Sequence, residues 1–399
     1  MGGAGATILS LALAGAVAAV AAGVGARLLK ALGLADAPVA ERGPFALAVG
    51  LGCVAYGILV LGLLRLLWTV PMAVLMAAFA LLGAGPAVSL ARETWRAIRG
   101  LRFGWCSGLT GALLALLLLI ALVPGLAPPS SEDWDGLSYH LADPALYLQH
   151  RAIVYLFWES HSNFPFTIEM LYTIAVMAGV PQAARVFHWL YLCLTCFLLA
   201  AAWKRLWPDE APAARWIAPL MLAGAPIVAW TAGLAYNDLA LMAYDALAVY
   251  AAWRWKRERR VGWLWVSGVC LGLALGTKMT ALIAAVLLTP IIVAASADKK
   301  EGMGRTLRRL VVWGGIALAV GSPWYIKSYL YTNNPVYPFF YSLFPHTRYW
   351  SEELARQYQG TQAAFGMGHG WTDLILAPWR LVAYPERFTD GTVPGFGVL

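Results

Sequence analysis

Charge is what this 399-residue chain has least of. Asp, Glu, Lys and Arg make up 13% of it, 60% is hydrophobic, and mean hydropathy is +0.65. A soluble domain carries about 25% charged residues, so the composition excludes one or two water-surrounded cores. Strict apolar–polar alternation over roughly ten positions is also missing, which excludes a membrane barrel. Residues 113–123 are apolar on every side, and a buried backbone of that kind must satisfy itself as helix. Cysteine is scarce: there are five, in or beside apolar runs. Cys193 and Cys196 have C-x-x-C spacing, but no second ligand pair follows, which excludes a zinc or redox site and leaves packing. No Lys or Arg precedes Arg27, so the start is a retained helix rather than a cleaved leader. Tandem repeats and low-complexity linkers are absent. The net charge of +8 has no soluble basic patch behind it, so no nucleic-acid partner is expected.

What is there is a series of long apolar runs. Candidate spans are 5–26, 44–66, 70–91, 103–127, 184–203, 214–235, 239–254, 262–276, 279–296 and 308–326. The expected fold is an all-α polytopic membrane protein with about ten transmembrane helices. Basic clusters lie between the runs: Arg92, Arg96, Arg99 and Arg102; Lys204, Arg205 and Arg215; Arg254, Lys256, Arg257, Arg259 and Arg260; Lys299, Lys300, Arg305, Arg308 and Arg309. With these spans all four fall on one side, which the positive-inside rule makes the cytoplasm. The expected location is therefore the inner (plasma) membrane, multi-pass, with the N-terminus outward. Residues 166–180 are apolar but only about fifteen long, near the lower limit for a span. If they crossed, the later basic clusters would face outward, so they read as a juxtamembrane or re-entrant helix.

The other side collects acids. An outward loop, 128–165, opens with Pro128-Pro129-Ser130-Ser131, which ends a helix. It carries Glu132, Asp133, Asp135, His140, Asp143, Glu159 and His161. Later outward turns carry Tyr236-Asn237-Asp238, Lys278 and Lys327. Carboxylates at a span–loop junction suit removal of a proton from an acceptor hydroxyl, and nearby cations suit a leaving phosphate. Asp135 is the candidate base, Asp238 a second carboxylate, and Lys278, supported by Lys327 or His140, the phosphate-neutralising group. Competing structural roles are plain: Asp135 and Asp238 as helix N-caps, Lys278 as a snorkelling cation, Glu132 and Asp133 as solvated loop charges, and His140 and His161 as hydrogen-bonding residues. Glu159 and Glu169 rank below these. Asp245, two turns inside a span, is expected to have a hydrogen-bond partner. The division expected is 1–100 as accessory transmembrane helices, 101–345 as the core, and 346–399 as an outward juxtamembrane segment. Apolar residues resume at Gly395–Leu399, which raises the expectation of further spans in a longer chain.

The stretch Asp135-Gly136-Leu137-Ser138-Tyr139-His140 resembles the first outward loop of GT-C membrane glycosyltransferases. The similarity is to the protein mannosyltransferase and lipid A aminoarabinose transferase branch (family 39-like), where a tyrosine follows the acid by four positions. Asn163-Phe164-Pro165 with Tyr172 and Gly179, Tyr236-Asn237-Asp238, Gly272 to Lys278 and Asn334-Pro335-Val336-Tyr337-Pro338 continue it in order. The resemblance implies a GT-C helical core and transfer of a sugar from a polyprenyl-phosphate donor to a lipid, glycan or protein acceptor, at a site facing the periplasm or exterior among membrane lipids. It adds Tyr139 and Asn237 to the substrate-binding candidates Lys278, His140 and Lys327. Many members have Asp-Glu where this chain has Asp135-Gly136, so Asp133 stands in through an Asp-x-Asp arrangement. Asp133 and Asp135 are then the candidate ligands of a divalent cation, Mg or Mn, as cofactor. The alternatives are a secondary transporter or lipid flippase, for which Asp245 and the many spans would speak, and a non-catalytic scaffold.

Overall fold

The computed structural model describes residues 3–100, 104–131, 133–296, 302–368 and 370–388. Glu132, Arg102, Lys299, Lys300 and Gly395–Leu399 lie outside the described residues. Among the described residues all regular structure is helical. The first four helices are α1 (Gly3–Ala31), α2 (Val39–Leu63), α3 (Thr69–Arg99) and α4 (Trp105–Leu126). The long loop holds a π-helical turn (Gly136–His140), α5 (Ala142–His150) and a 3-10 turn (Ser160–Asn163). Then come α6 (Thr167–Met177), α7 (Gln182–Leu206), α8 (Ile217–Gly224), α9 (Pro226–Ala232), α10 (Asp238–Glu258), α11 (Val261–Leu275), α12 (Ala281–Ser296) and α13 (Gly302–Thr332). Two shorter helices follow, α14 (Glu352–Ala363) and α15 (Trp371–Ala383).

Six of these, α1, α2, α3, α4, α7 and α13, are long and apolar enough to cross a membrane. The run expected at 214–235 is broken in two at Ala225, whose extended ψ of 121° precedes Pro226 at the first position of α9. A residue before proline is pushed out of the helical region, so the hydropathy of the run hides a kink. The segment at 166–180 is not among the six long apolar helices. Its helix, α6, has eleven residues, about 16 Å at 1.5 Å per residue, and nearly all of them are buried between α2, α5 and α7. The N-terminal helices are part of the same body, since α2 packs on α6 and α7 and also meets α10 and α11.

The two ends of the bundle differ in kind, as the loop charges imply. At one end basic residues from several helices are tied together. Arg254 pairs with buried Glu41 and, at 2.6 Å, with Glu258. Glu258 also takes Arg205 at 2.7 Å. Arg42 pairs with Glu93, Arg260 with Asp36, and Arg259 donates to the carbonyl of Ala295 at 2.6 Å. The last turns of α3, α7, α10 and α12 and the first turn of α11 therefore share one end. Asp36, in the α1–α2 loop, is held below its ordinary value by the Arg260 hydrogen bond. The opposite end carries the long loop and the acids.

The Gly272–Lys278 run is explained by packing. Gly268 and Gly272 face α13, where a Cβ would lie 2.8 Å from the carbonyl of Trp313 and 2.5 Å from Val320. Gly276 faces the start of α6, where a Cβ would lie 2.7 Å from Thr167 Oγ1. Small residues spaced by four let helix backbones approach. The run thus seats α11 against α13 and α6 and delivers Lys278 beyond its end. Asn334 is likewise structural. It is fully buried, its Oδ1 accepts the Val336 N–H at 2.9 Å, and its Nδ2 donates to the Phe339 carbonyl at 2.9 Å.

Candidate functional site

The polar end is assembled on α6. The Thr167 backbone N–H and hydroxyl both donate to the carbonyl of Gly276, at 3.0 and 2.6 Å, which fixes the end of α11. Tyr172 donates its hydroxyl to the carbonyl of Tyr236, which fixes the turn before α10. Between them Glu169, wholly buried, accepts from His140 Nδ1 at 2.6 Å and from Asn237 Nδ2 at 3.2 Å. Its second oxygen has no protein partner, and neither does Asn237 Oδ1. Glu169 ranks low in the sequence reading. The signal that could have raised it is a charge inside an apolar segment too short to span, where an ionisable residue demands a partner.

Asp238 opens α10, with Asn237 as its cap residue, and neither side chain caps the helix. The first free N–H is met from another helix: His188 Nε2 accepts from the Leu239 N–H at 2.9 Å, while its Nδ1 donates to the carbonyls of Leu234 (3.0 Å) and Thr231 (3.1 Å). Asp238 is therefore spared from capping and pairs with Lys278, 2.7 Å from Nζ to Oδ1, both side chains nearly half exposed. Asp135 likewise makes no capping hydrogen bond and is partly exposed. The N-cap roles weighed for both acids are not the ones the structure gives them.

Two aromatic residues connect these groups. Tyr139 stacks on His161 with centroids 4.4 Å apart and planes 9° apart, and it touches His140 at 4.1 Å. Burial, and then the charges of Asp135, Glu169 and Asp238, hold its phenol well above the ordinary range. Tyr236, tilted against His140 at 5.7 Å, is pushed the same way by burial and by Asp135, Asp133 and Asp238. Tyr139 and Tyr236 both meet His140, whose partner Glu169 also holds Asn237, and Asn237 adjoins the Asp238–Lys278 pair; Asp135 lies four residues before Tyr139. Beside them Glu159 accepts from His161, ring and backbone, at 2.6 and 2.9 Å. Burial pushes Glu159 up, but those hydrogen bonds outweigh it and hold the carboxyl low.

Asp133 and Lys327 have other employment. Asp133 is fully buried and its Oδ2 accepts from Arg185 Nη2 at 2.8 Å and Nε at 3.1 Å. Arg185 also donates to the carbonyls of Ala127 and Pro124, so this pair closes the end of α4 onto α7. The same geometry explains Gly136. A Cβ there would stand 2.0 Å from Asp133 Oδ1, so the carboxylate of Asp133 fills the space a larger residue would need. Lys327 is buried. It donates to the carbonyl of Ser162 and lies 5.4 Å from the ring centres of Phe166 and Trp324, which makes it a strut between α13 and the long loop. Of Asp245, for which a hydrogen-bond role was expected, the buried Oδ1 has no partner among the described residues. The metal expectation does not fit these donors. The Oδ2 of Asp133 is taken by a guanidinium, and among the described residues no three of His, Cys, Asp and Glu gather as a metal site needs.

The family model described as glycosyltransferase family 87 matches residues 164–384. It covers Glu169, Asn237, Asp238 and Lys278 and begins after Asp135. No curated protein and no solved structure matches the chain.

Proposed function

The chain belongs to glycosyltransferase family 87 and is a helical membrane glycosyltransferase, and from that premise we propose that it moves a sugar from a polyprenyl-phosphate donor to the hydroxyl of a lipid, glycan or protein acceptor. The feature that supports the reading is the cluster of Tyr139, His140 and Asn237 around buried Glu169, next to the Asp238–Lys278 pair and to the loop that carries Asp135. A lipid-linked phosphate sits at the membrane interface while its tail stays in lipid. A site at the junction of spans and loops is where such a donor arrives. The basic clusters at the other end favour the exterior or periplasmic side for this one.

In the proposed step the acceptor oxygen attacks the anomeric carbon, the bond from that carbon to the phosphate oxygen breaks, and the phosphate leaves with the electron pair. Asp135 takes the hydroxyl proton. Lys278 offsets the charge growing on the phosphate, and Asp238 holds Lys278 in place. His140, its Nδ1–H held by Glu169, keeps Nε2 as a hydrogen-bond acceptor for a substrate hydroxyl, and Tyr139 and His161 offer an aromatic wall to the sugar. No step is routed through a metal.

The test is transfer by purified protein from a synthetic polyprenyl-phosphate sugar. Asp135→Asn should lower the rate at least about 100-fold, in the range attributed to a general base, without lowering thermal stability. Undiminished transfer by this variant would remove Asp135 from the reaction.

A further inference from the structure

The helix α15 carries its apolar side outward. At about 100° per residue, Trp371, Leu374, Ile375, Pro378, Trp379 and Val382 fall within an arc of about 140° that holds no polar residue. All six are exposed, with Trp371 at 84%, Ile375 at 75% and Trp379 at 69%. A contiguous exposed apolar stripe marks an interaction surface.

The opposite side of α15 is engaged by its own chain. Arg380 Nη1 donates to Asp373 Oδ1 at 2.6 Å and to the carbonyl of Met367 at 3.0 Å. Asp373 Oδ2 accepts the Gly370 N–H at 2.9 Å. The Gly366 N–H donates to the Arg387 carbonyl at 2.6 Å, which joins the chain entering α15 to the chain leaving it. These contacts hold the polar side and leave the stripe uncovered.

The place of α15 in the fold says what covers the stripe. α13 ends at Thr332, and the chain beyond it is tied to the candidate-site end. The Arg348 N–H donates to the Thr332 carbonyl at 2.8 Å, and Tyr349 packs on Tyr155 of the long loop with ring centres 5.0 Å apart. Tyr358 of α14 meets the rings of Phe339 and Trp350 at 5.8 and 6.0 Å. Residues 364–370 then lead to α15, a reach of at most about 25 Å. The last turns of α13 expose Ile326, Tyr329 and Leu330, so the lipid-facing surface of a span runs up to this level. α15 itself has thirteen residues, about 20 Å, too short to cross a bilayer. Its Trp371 and Trp379 are of the type favoured where membrane meets water.

We infer that α15 lies in the plane of the bilayer at the candidate-site end, with its apolar stripe among the lipid acyl chains and its Asp373–Arg380 side turned to water. An amphipathic helix binds a membrane surface in this way, in proportion to the apolar area it buries.

The test uses the full chain in liposomes of dioleoylphosphatidylcholine, with the photoreactive residue p-benzoylphenylalanine replacing Ile375, Trp379 or Glu386 in turn. Ile375 and Trp379 probe the stripe, and Glu386, exposed on the returning chain, probes the other side. All three positions are exposed, and an unchanged thermal midpoint qualifies each variant. After irradiation, intact-mass measurement should show a one-lipid adduct from Ile375 and Trp379 at least about tenfold above that from Glu386, since the stripe would lie about 5–10 Å into the headgroup and acyl boundary. Equal lipid adducts at all three positions, or none at Ile375 and Trp379, would overturn the inference. Covalent dimers of the chain from Ile375 in place of lipid adducts would overturn it too, by assigning the stripe to a second copy. None of these results bears on sugar transfer.

Discussion

Glu169→Gln is the substitution that most directly separates a positioning role from a packing role in the polar end. Glu169 is wholly buried and serves two donors through one oxygen, His140 at 2.6 Å and Asn237 at 3.2 Å. Glutamine keeps the length and one acceptor oxygen but removes the charge. A hydrogen bond to a charged group contributes about 1.5–3 kcal/mol and a neutral one about 0.5–1.5, so the exchange costs about 1–2 kcal/mol. If that loss falls on the orientation of His140 and Asn237, turnover drops about 5–30-fold. Glu169→Ala, which leaves both donors without an acceptor, should cost more than about 100-fold and lower stability as well. The assay is steady-state transfer from a polyprenyl-phosphate sugar, with the thermal midpoint measured in parallel. A positioning role predicts a fall in kcat with little change in donor KM, because His140 and Asn237 are held less firmly. A packing role predicts less folded protein with unchanged specific activity. Turnover within twofold of wild type in Glu169→Gln would refute the assignment.

Lys278→Gln should raise donor KM about 10–100-fold while shifting the thermal midpoint little, because the half-exposed pair with Asp238 stabilises the fold by less than about 1 kcal/mol; an unchanged KM counts against a phosphate contact. Gly136→Ala should drive the Asp133 carboxylate off Arg185. Breaking a buried pair costs about 3–5 kcal/mol, read as a large fall in thermal midpoint, and a normal midpoint would show that the turn relaxes instead. Asp143, in α5, is buried without a partner for Oδ2. Burial, and then the charge of Glu159, push it up to about 8 against the pull of Lys327. The folded state then holds a proton that the unfolded chain releases near pH 4, so this group's contribution to stability falls as pH rises toward 8. Asp143→Asn should stabilise the protein more at pH 8 than at pH 5, and equal midpoint differences at the two pH values would contradict it.

The hydrophobic pattern made the helices legible, and the loop charges made the two ends legible, because both are local properties of the chain. The shortness of the helix within 166–180 was legible from the length of its apolar run. What the pattern could not show are pairings made across the fold. Asp133 reads as a solvated loop charge until Arg185, fifty-two residues on, is seen against it. Lys327 reads as an interfacial cation until its ammonium is found under Ser162. The kink at Ala225 was present in the sequence as Pro226, but an apolar average over 214–235 passes through it. Asp238 and Lys278, which pair in the structure, each stand at the end of an apolar run, where the sequence places them at a known depth.

The segment that hydropathy nearly assigns to the membrane is the one on which the polar end depends, and its composition explains why it cannot be a span. Thr167, Glu169 and Tyr172 of α6 bind the end of α11, the pair His140 and Asn237, and the turn at Tyr236. At 100° per residue Glu169 and Tyr172 lie about 200° and 140° around the axis from Thr167. Glu169 and Tyr172, about 60° apart, therefore share one face, and Thr167 stands on the opposite one. A transmembrane helix at the rim of a bundle turns one face to lipid, where none of these polar groups could be satisfied. A helix with polar obligations on two opposite faces must be enclosed by protein. The apolar residues between them then serve the surrounding core rather than the bilayer. Short length and apolar composition thus have one cause: α6 is an internal post that sets three loops in register, and a substitution that loosens it should disturb Lys278, Asp238 and His140 together rather than singly.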